Sequence, residues 1–152
     1  MTLRLTTSAF QSGQKIPARF TCDGANASPP LAWSGAPVAV RSFAFVCSDP
    51  DAPGGTFYHW ALFDIPRATT HLAEQHATSG DGSREAANDF GKRGYGGPCP
   101  PHGHGTHHYH FRLFALDIDR LPVGQRATCR DVERIALEHV LAEAELVGIY
   151  AR

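Results

Sequence analysis

The stretch Arg41-Ser42-Phe43-Ala44-Phe45-Val46-Cys47 constrains the fold more than any other part of the chain. Successive side chains of an extended chain point to opposite faces. Phe43, Phe45 and Cys47 fill one face and Ala44 and Val46 the other, which predicts a central strand covered on both sides. A second strand is predicted over 58–65, stopped by Pro66, which has no N–H for a ladder. A third, over 108–117, puts Tyr109, Phe111, Leu113 and Ala115 on one face. Shorter strands are predicted at 19–22, 31–33 and 146–150, and the 15 Gly and 11 Pro separate them with turns. One helix is predicted, capped by Thr128 with Asp131 three residues on. Its apolar stripe of Val132, Ile135, Ala136, Val140 and Leu141 implies about four turns. The segment 83–89 is expected to add a turn or two of helix. Together these elements predict one mainly β domain over residues 1–152, an antiparallel sandwich or Greek-key barrel with small peripheral helices.

Charge narrows the function. Lys plus Arg total 14 and Asp plus Glu 15, a net charge of −1, which speaks against a nucleic acid partner because phosphate backbones select a basic face. Nine His can reverse that sign below about pH 6. No apolar run reaches the roughly 18 residues of a membrane span. The start, Met1-Thr2-Leu3-Arg4-Leu5-Thr6-Thr7-Ser8, lacks the basic and apolar regions of a signal peptide, so a cytoplasmic location is expected. Cys22, Cys47, Cys99 and Cys129 lie far apart with no Cys-x-x-Cys spacing. They read as free thiols in a reducing compartment, with a Cys22–Cys99 bridge between two loops as the alternative.

Three places could carry chemistry. Ser48-Asp49-Pro50-Asp51-Ala52-Pro53 follows the buried strand, and its prolines stiffen a loop bearing two carboxylates. It suits an Asx turn or a ligand rim, and spacing alone favours the turn. His59 stands in an apolar strand, where a lone His is usually a satisfied core residue. The Gly/Pro/His tract from Tyr95 to His110 reads as a solvated loop or as a site.

At this tract the chain resembles the phosphatidylethanolamine-binding protein family (Raf-kinase-inhibitor-like), and most of all its small bacterial branch. The matching pieces are Asp49-Pro50-Asp51-Ala52-Pro53, His59-Trp60, Phe90-Gly91-Lys92-Arg93-Gly94-Tyr95, Gly97-Pro98-Cys99-Pro100-Pro101 and Gly105-Thr106-His107-His108-Tyr109. The segment from Cys22 to Trp33 fits as well. The resemblance implies an antiparallel Greek-key β-sandwich with a pocket at one end for a small anionic, phosphate-like head group, and no cofactor. Carried over by position, Asp49, His59, His107 and Tyr109 hold the ligand, Gly97, Pro100 and Pro101 form a wall, and Phe57 lines the mouth. The family pattern Gly-x-His-Arg is broken here by His108, which replaces the Arg only when protonated. Such a pocket is too small and too weakly charged for tight phospholipid capture.

Strand alternation agrees with this assignment, because His107 and Tyr109 share a face while His108 and His110 take the other. A carboxylate accepting one N–H of a His fixes its tautomer and favours its protonation, so the other N–H faces the ligand. Binding should therefore tighten as pH falls below a raised His pKa. Two alternatives are a metal-dependent enzyme built on His102, His104, His107, His108 and His110, and a hydrolase using a Cys99 thiolate near His107. In the metal reading, alternation keeps most of the rings apart and nothing orients His102 or His104. In the hydrolase reading, prolines flank Cys99 and no Gly-x-Ser-x-Gly elbow occurs. A third reading keeps the fold and gives the pocket a regulatory role toward a kinase or protease partner, with Phe57, Tyr58, Trp60 and Tyr95 as mouth aromatics. Homodimerisation through a sheet edge is compatible with all of these.

Overall fold

The computed structural model describes residues 2–76 and 80–152. In chain order its strands are β1 (Arg4–Thr6), β2 (Leu31–Ser34), β3 (Ser42–Asp49), β4 (Phe57–Pro66), β5 (His71–Leu72), β6 (Arg84–Glu85), β7 (His107–Leu116) and β8 (Val140–Tyr150), with helix α1 (Cys129–Leu137) between the last two. They form a three-stranded sheet in the order β1-β2-β5 and a five-stranded sheet in the order β6-β4-β3-β7-β8, both antiparallel. The sheets face each other as an open sandwich and no closed barrel forms. Among the described residues, no helix is long and apolar enough to cross a membrane.

β3 occupies the middle of the larger sheet and every one of its residues is buried. Phe43, Phe45 and Cys47 pack with Trp60, Phe111 and Leu113 against Leu5, Leu31, Trp33 and Leu72 of the smaller sheet. The Trp33 ring meets Phe43 and Phe45 edge-on at 5.5 and 5.3 Å. On the other face Ala44 and Val46 join Phe63, Phe114 and Leu116 beneath Cys129, Val132 and Ala136 of α1. Thr128 closes the helix start as a reciprocal capping box with Asp131.

Several local expectations fail. The predicted strand at 19–22 is a 3₁₀ turn, Ala18–Phe20, and the predicted helix at 83–89 holds only the two residues of β6. There Arg84 is drawn to buried Asp64 at 2.7 Å and Glu85 accepts the Trp60 indole N–H at 2.9 Å, so side-chain partners override helix propensity. The helix stops at Leu137 instead of running to Leu141, because Val140–Tyr150 pairs along the whole of β7. β1 and β5 are short strands with no sequence signal strong enough to predict them.

The ladder between β3 and β4 breaks twice. Cys47 pairs with Trp60 while Ser48 pairs with Tyr58, so His59 is an extra residue on β4. This bulge cancels the alternation and lets both His59 and Trp60 face the inner side. A second break lies between Phe43 and Phe45, where Asp64 takes φ 58° and its buried carboxylate accepts the Leu121 N–H at 2.8 Å.

The expectation of four free thiols is overturned: Cys22 and Cys99 form a disulfide across 77 residues, with Cα atoms 5.4 Å apart, while Cys47 and Cys129 stay free and buried. The bridge is reinforced where Cys22 N–H donates to Pro98 O (3.1 Å) and Gly97 N–H to Asn26 Oδ1 (2.8 Å). At the chain end, Arg152 Nε donates to Pro100 O at 2.8 Å and Tyr150 O–H to Asp23 at 2.6 Å. These contacts hold the 97–101 segment over one end of the sandwich.

Two stability predictions follow from this packing. Replacing Cys22 and Cys99 together by Ser should cost about 2–5 kcal/mol in urea denaturation, because a long loop is released in the unfolded chain. Gly148→Ala would place a Cβ 2.4 Å from Ile16 Cγ1 and 2.8 Å from Phe10 Cε2. In a closed core that overpacking should lower the unfolding free energy by about 1–3 kcal/mol in the same measurement.

Candidate functional site

Antiparallel pairing gathers the end of β3, the starts of β4 and β7 and the end of β8 at one pole of the sandwich. A cavity of about 190 Å³ opens there. Alternation on β3 and β7 turns Asp49, His107 and Tyr109 to the inner side, and the bulge brings His59 to them. All four are almost fully buried, with 3%, 2%, 1% and 3% of their surface exposed in that order. The sequence-predicted residues Asp49, Phe57, His59, Pro100, Pro101, His107 and Tyr109 all line this cavity. Gly97 does not. It sits behind the wall, where a Cβ would lie 2.2 Å from the Phe20 carbonyl oxygen, so its role is to let two backbones pass closely.

The Asp49 carboxylate is fully engaged. One oxygen accepts the Asp51 N–H at 2.8 Å, an Asx turn, and the other accepts from His107 Nδ1 at 2.6 Å. The turn and the site, alternatives in the sequence, are thus served by one side chain. His59 donates Nδ1–H to Gly96 O at 2.7 Å, which fixes its tautomer and leaves Nε2 as the ring's remaining nitrogen. Burial pushes the His59 pKa down, against the opposing pull of Gly96 and Asp49, so the neutral ring presents a lone pair and not a second N–H. At His59 desolvation outweighs the neighbouring charge. Burial, with the Asp49 charge behind it, raises the Tyr109 pKa and keeps its phenol protonated as a donor.

The walls are apolar. Phe57 packs on His59 (4.9 Å between ring centres) and on Phe90 (4.8 Å), and Phe90 is 45% exposed at the rim. Phe90, Ala52, Pro53 and Cys99 also line the cavity, beyond the residues assigned from sequence. Phe90 stood in a quoted motif, but nothing in its spacing tied it to β4. The other aromatics named as mouth residues are structural: Trp60 stacks on Phe45, Tyr58 donates to Glu133, and Tyr95 donates to Phe20 O.

The His-rich tract divides among separate partners. His108 contacts Asp51 through both its backbone N–H and Nδ1, each at 2.8 Å, and this lowers the Asp51 pKa. A ring carrying a proton on Nδ1 makes this contact whether neutral or charged. His110 faces Glu145, while His104 reaches His107 Nε2 at 2.6 Å, although the sequence showed nothing to orient it. Among the described residues, no three His, Cys, Asp or Glu side chains are grouped so as to hold a metal ion. Cys99, the nucleophile of the hydrolase reading, has its sulfur in the disulfide. Burial raises the pKa of Cys47 and takes that of Cys129 to about 12.

Comparison with known proteins agrees with this architecture. Residues 6–151 match the family described as phosphatidylethanolamine-binding protein. A UPF0098 protein of Methanothermobacter thermautotrophicus is 46% identical over 153 residues, covering 99% of each chain. A UPF0098 protein of Aquifex aeolicus is 43% identical over 146 residues, which are 95% of this chain and 85% of the relative. The crystal structure of Escherichia coli YbcL, described as a new member of the mammalian PEBP family, superposes with a TM-score of 0.94 at 32% identity, over 100% of this chain and 99% of YbcL. A fold shared end to end and identity above two-fifths with full-length relatives place the chain in the phosphatidylethanolamine-binding protein family.

Proposed function

We propose that the cavity holds a small oxyanion, phosphate-like and carried on an apolar stem, and that the protein binds this group without transforming it. The observation that carries the reading is that Tyr109 and His59 line one buried cavity, with the Asp49–His107 pair beside them and aromatic and proline walls around. Polar groups in a site of this kind fix orientation while apolar walls supply contact area.

A proton is needed for the fit. With its Nδ1–H given to Gly96, neutral His59 can only accept a hydrogen bond at Nε2. A fully ionised phosphate meets that lone pair as repulsion. A monoprotonated phosphate, whose second ionisation lies near pH 6, donates its own hydroxyl to it. Protonation of the ring has the same result, because Nε2–H then donates to the anion. Both routes strengthen binding toward acid.

The same contacts support the reading of binding without catalysis. Both Asp49 oxygens are occupied, Ser48 faces away from Asp49 on β3, and the Cys99 sulfur is tied, which leaves no activated nucleophile at the cavity among the described residues. The half-buried Phe57 and exposed Phe90 form an apolar rim at which a protein partner, a kinase or a protease, would sense occupancy. Disulfides persist in oxidising compartments, so the Cys22–Cys99 bridge favours an oxidising setting over the cytoplasm.

Calorimetric titration with phenyl phosphate should give a dissociation constant roughly tenfold lower at pH 5.5 than at pH 8. Equal or tighter binding at pH 8 overturns the proposal. Tyr109→Phe, which removes the phenol donor and little volume, should weaken binding about tenfold at pH 5.5 without changing the unfolding midpoint appreciably.

A further inference from the structure

We infer that His104 is a positioning residue for His107 and completes a proton relay, Asp49–His107–His104, that connects the buried cavity to solvent. Inorganic phosphate as a ligand rests on the anion-binding reading above, whereas the relay itself can be tested in the free protein.

The geometry is a chain of two short contacts. Asp49 Oδ2 lies 2.6 Å from His107 Nδ1, and His107 Nε2 lies 2.6 Å from His104 Nδ1. His107 is 2% exposed, while His104 is exposed on the loop before β7. Both nitrogens of the buried ring are therefore taken, and the partner on its Nε2 side is a ring that reaches solvent. That loop is built to present the ring. His104 N–H donates to Pro101 O at 3.1 Å, Gly103 N–H donates to Arg152 O at 3.0 Å, and Gly103 supplies the φ of 76° that the turn requires. Arg152 in turn donates to Pro100 O, which ties it to the proline wall beside His104.

The proton count is balanced. In the neutral chain His107 gives Nδ1–H to Asp49, so its Nε2 lone pair must accept from His104 Nδ1–H, and His104 Nε2 faces outward without a proton. A proton taken from solvent at His104 Nε2 lets the Nδ1 proton pass to His107 Nε2. The chain then reads Asp49⁻···H–His107⁺–H···His104–H, with one proton gained and no bond left unpaired. Because a hydrogen bond from a cation is about twice as strong as its neutral counterpart, the contact with His104 favours charged His107 over neutral His107. An anion entering the cavity would draw in that proton.

The charged and titratable groups around the pair come from every adjoining element. Asp49 closes β3 and Asp51 follows it, His59 lies on β4, His108 and Tyr109 lie on β7, and Arg152 is the last residue. Asp51 is committed to His108 and Arg152 to Pro100 and Asp23, so His104 is the member of this set in direct contact with His107 Nε2.

The test compares wild type, His104→Ala and His104→Gln, with the His rings labelled with ¹⁵N. In ligand-free protein between pH 5 and 9, protonation of the His107 ring should move to lower pH by about half to one unit in His104→Ala, a threefold to tenfold loss of proton affinity. His104→Gln, whose amide oxygen can accept from Nε2–H, should recover at least half of that shift. An unchanged His107 titration in His104→Ala, or a shift that Gln does not reduce, overturns the relay. With inorganic phosphate, the pH profile of binding should shift by the same amount in His104→Ala. Loss of the His107 shift together with intact phosphate binding in wild type refutes the relay alone. A clear His107 shift in a wild type that binds no phosphate refutes the anion-binding reading and leaves the relay standing.

Discussion

Burial of both faces of β3 is the constraint on which the rest of the structure depends. A strand with Phe43, Phe45 and Cys47 on one side and Ala44 and Val46 on the other must sit at the centre of a sheet with a layer above and below. The smaller sheet supplies one layer and α1 the other. Once β3 is central, its antiparallel neighbours β4 and β7 must both start where it ends. The polar residues at those three termini then meet at one pole, and the remaining segments, cross-linked by Cys22–Cys99, are laid over them.

The site shows how a fold can place polar side chains in a low-dielectric setting without leaving them unsatisfied. Asp49 is nearly closed to solvent, yet each oxygen accepts a hydrogen bond, and His107 and His59 each give one N–H to a fixed acceptor. Satisfaction of these buried groups is what makes the arrangement tolerable. It also decides what remains for a ligand. Every nitrogen spent on the scaffold is one fewer donor in the cavity.

Legibility differed by residue. The inner face of β7, Tyr109, Phe111, Leu113 and Ala115, could be read from period-2 alternation and is found in the core. The start of α1 was equally plain, since Thr128 and Asp131 form the capping box their spacing implies. The end of that helix was not. Ala142, Ala144 and Leu146 turn toward the smaller sheet while Leu141, Glu143 and Glu145 stay exposed, a strand pattern hidden by residues of high helix propensity. Pairing of Val140–Tyr150 along the whole of β7 outweighed that propensity. At the site, motif resemblance located Asp49, His107 and Tyr109, but alternation alone would have put His59 on the face opposite Trp60.

The sequence by itself determined the central strand and the β-rich class, because hydrophobic alternation and turn residues act over a few positions and leave a local record, while the residues gathered at one pole were legible only through the family resemblance. Tertiary structure alone decided the bulge at His59, the pairing of Cys22 with Cys99, the displacement of Gly97 from the cavity wall and the contact of His104 with His107. Each of these depends on segments far apart in the chain or on a loop folded back against the chain terminus. The energy that fixes them comes from contacts no short window of residues contains.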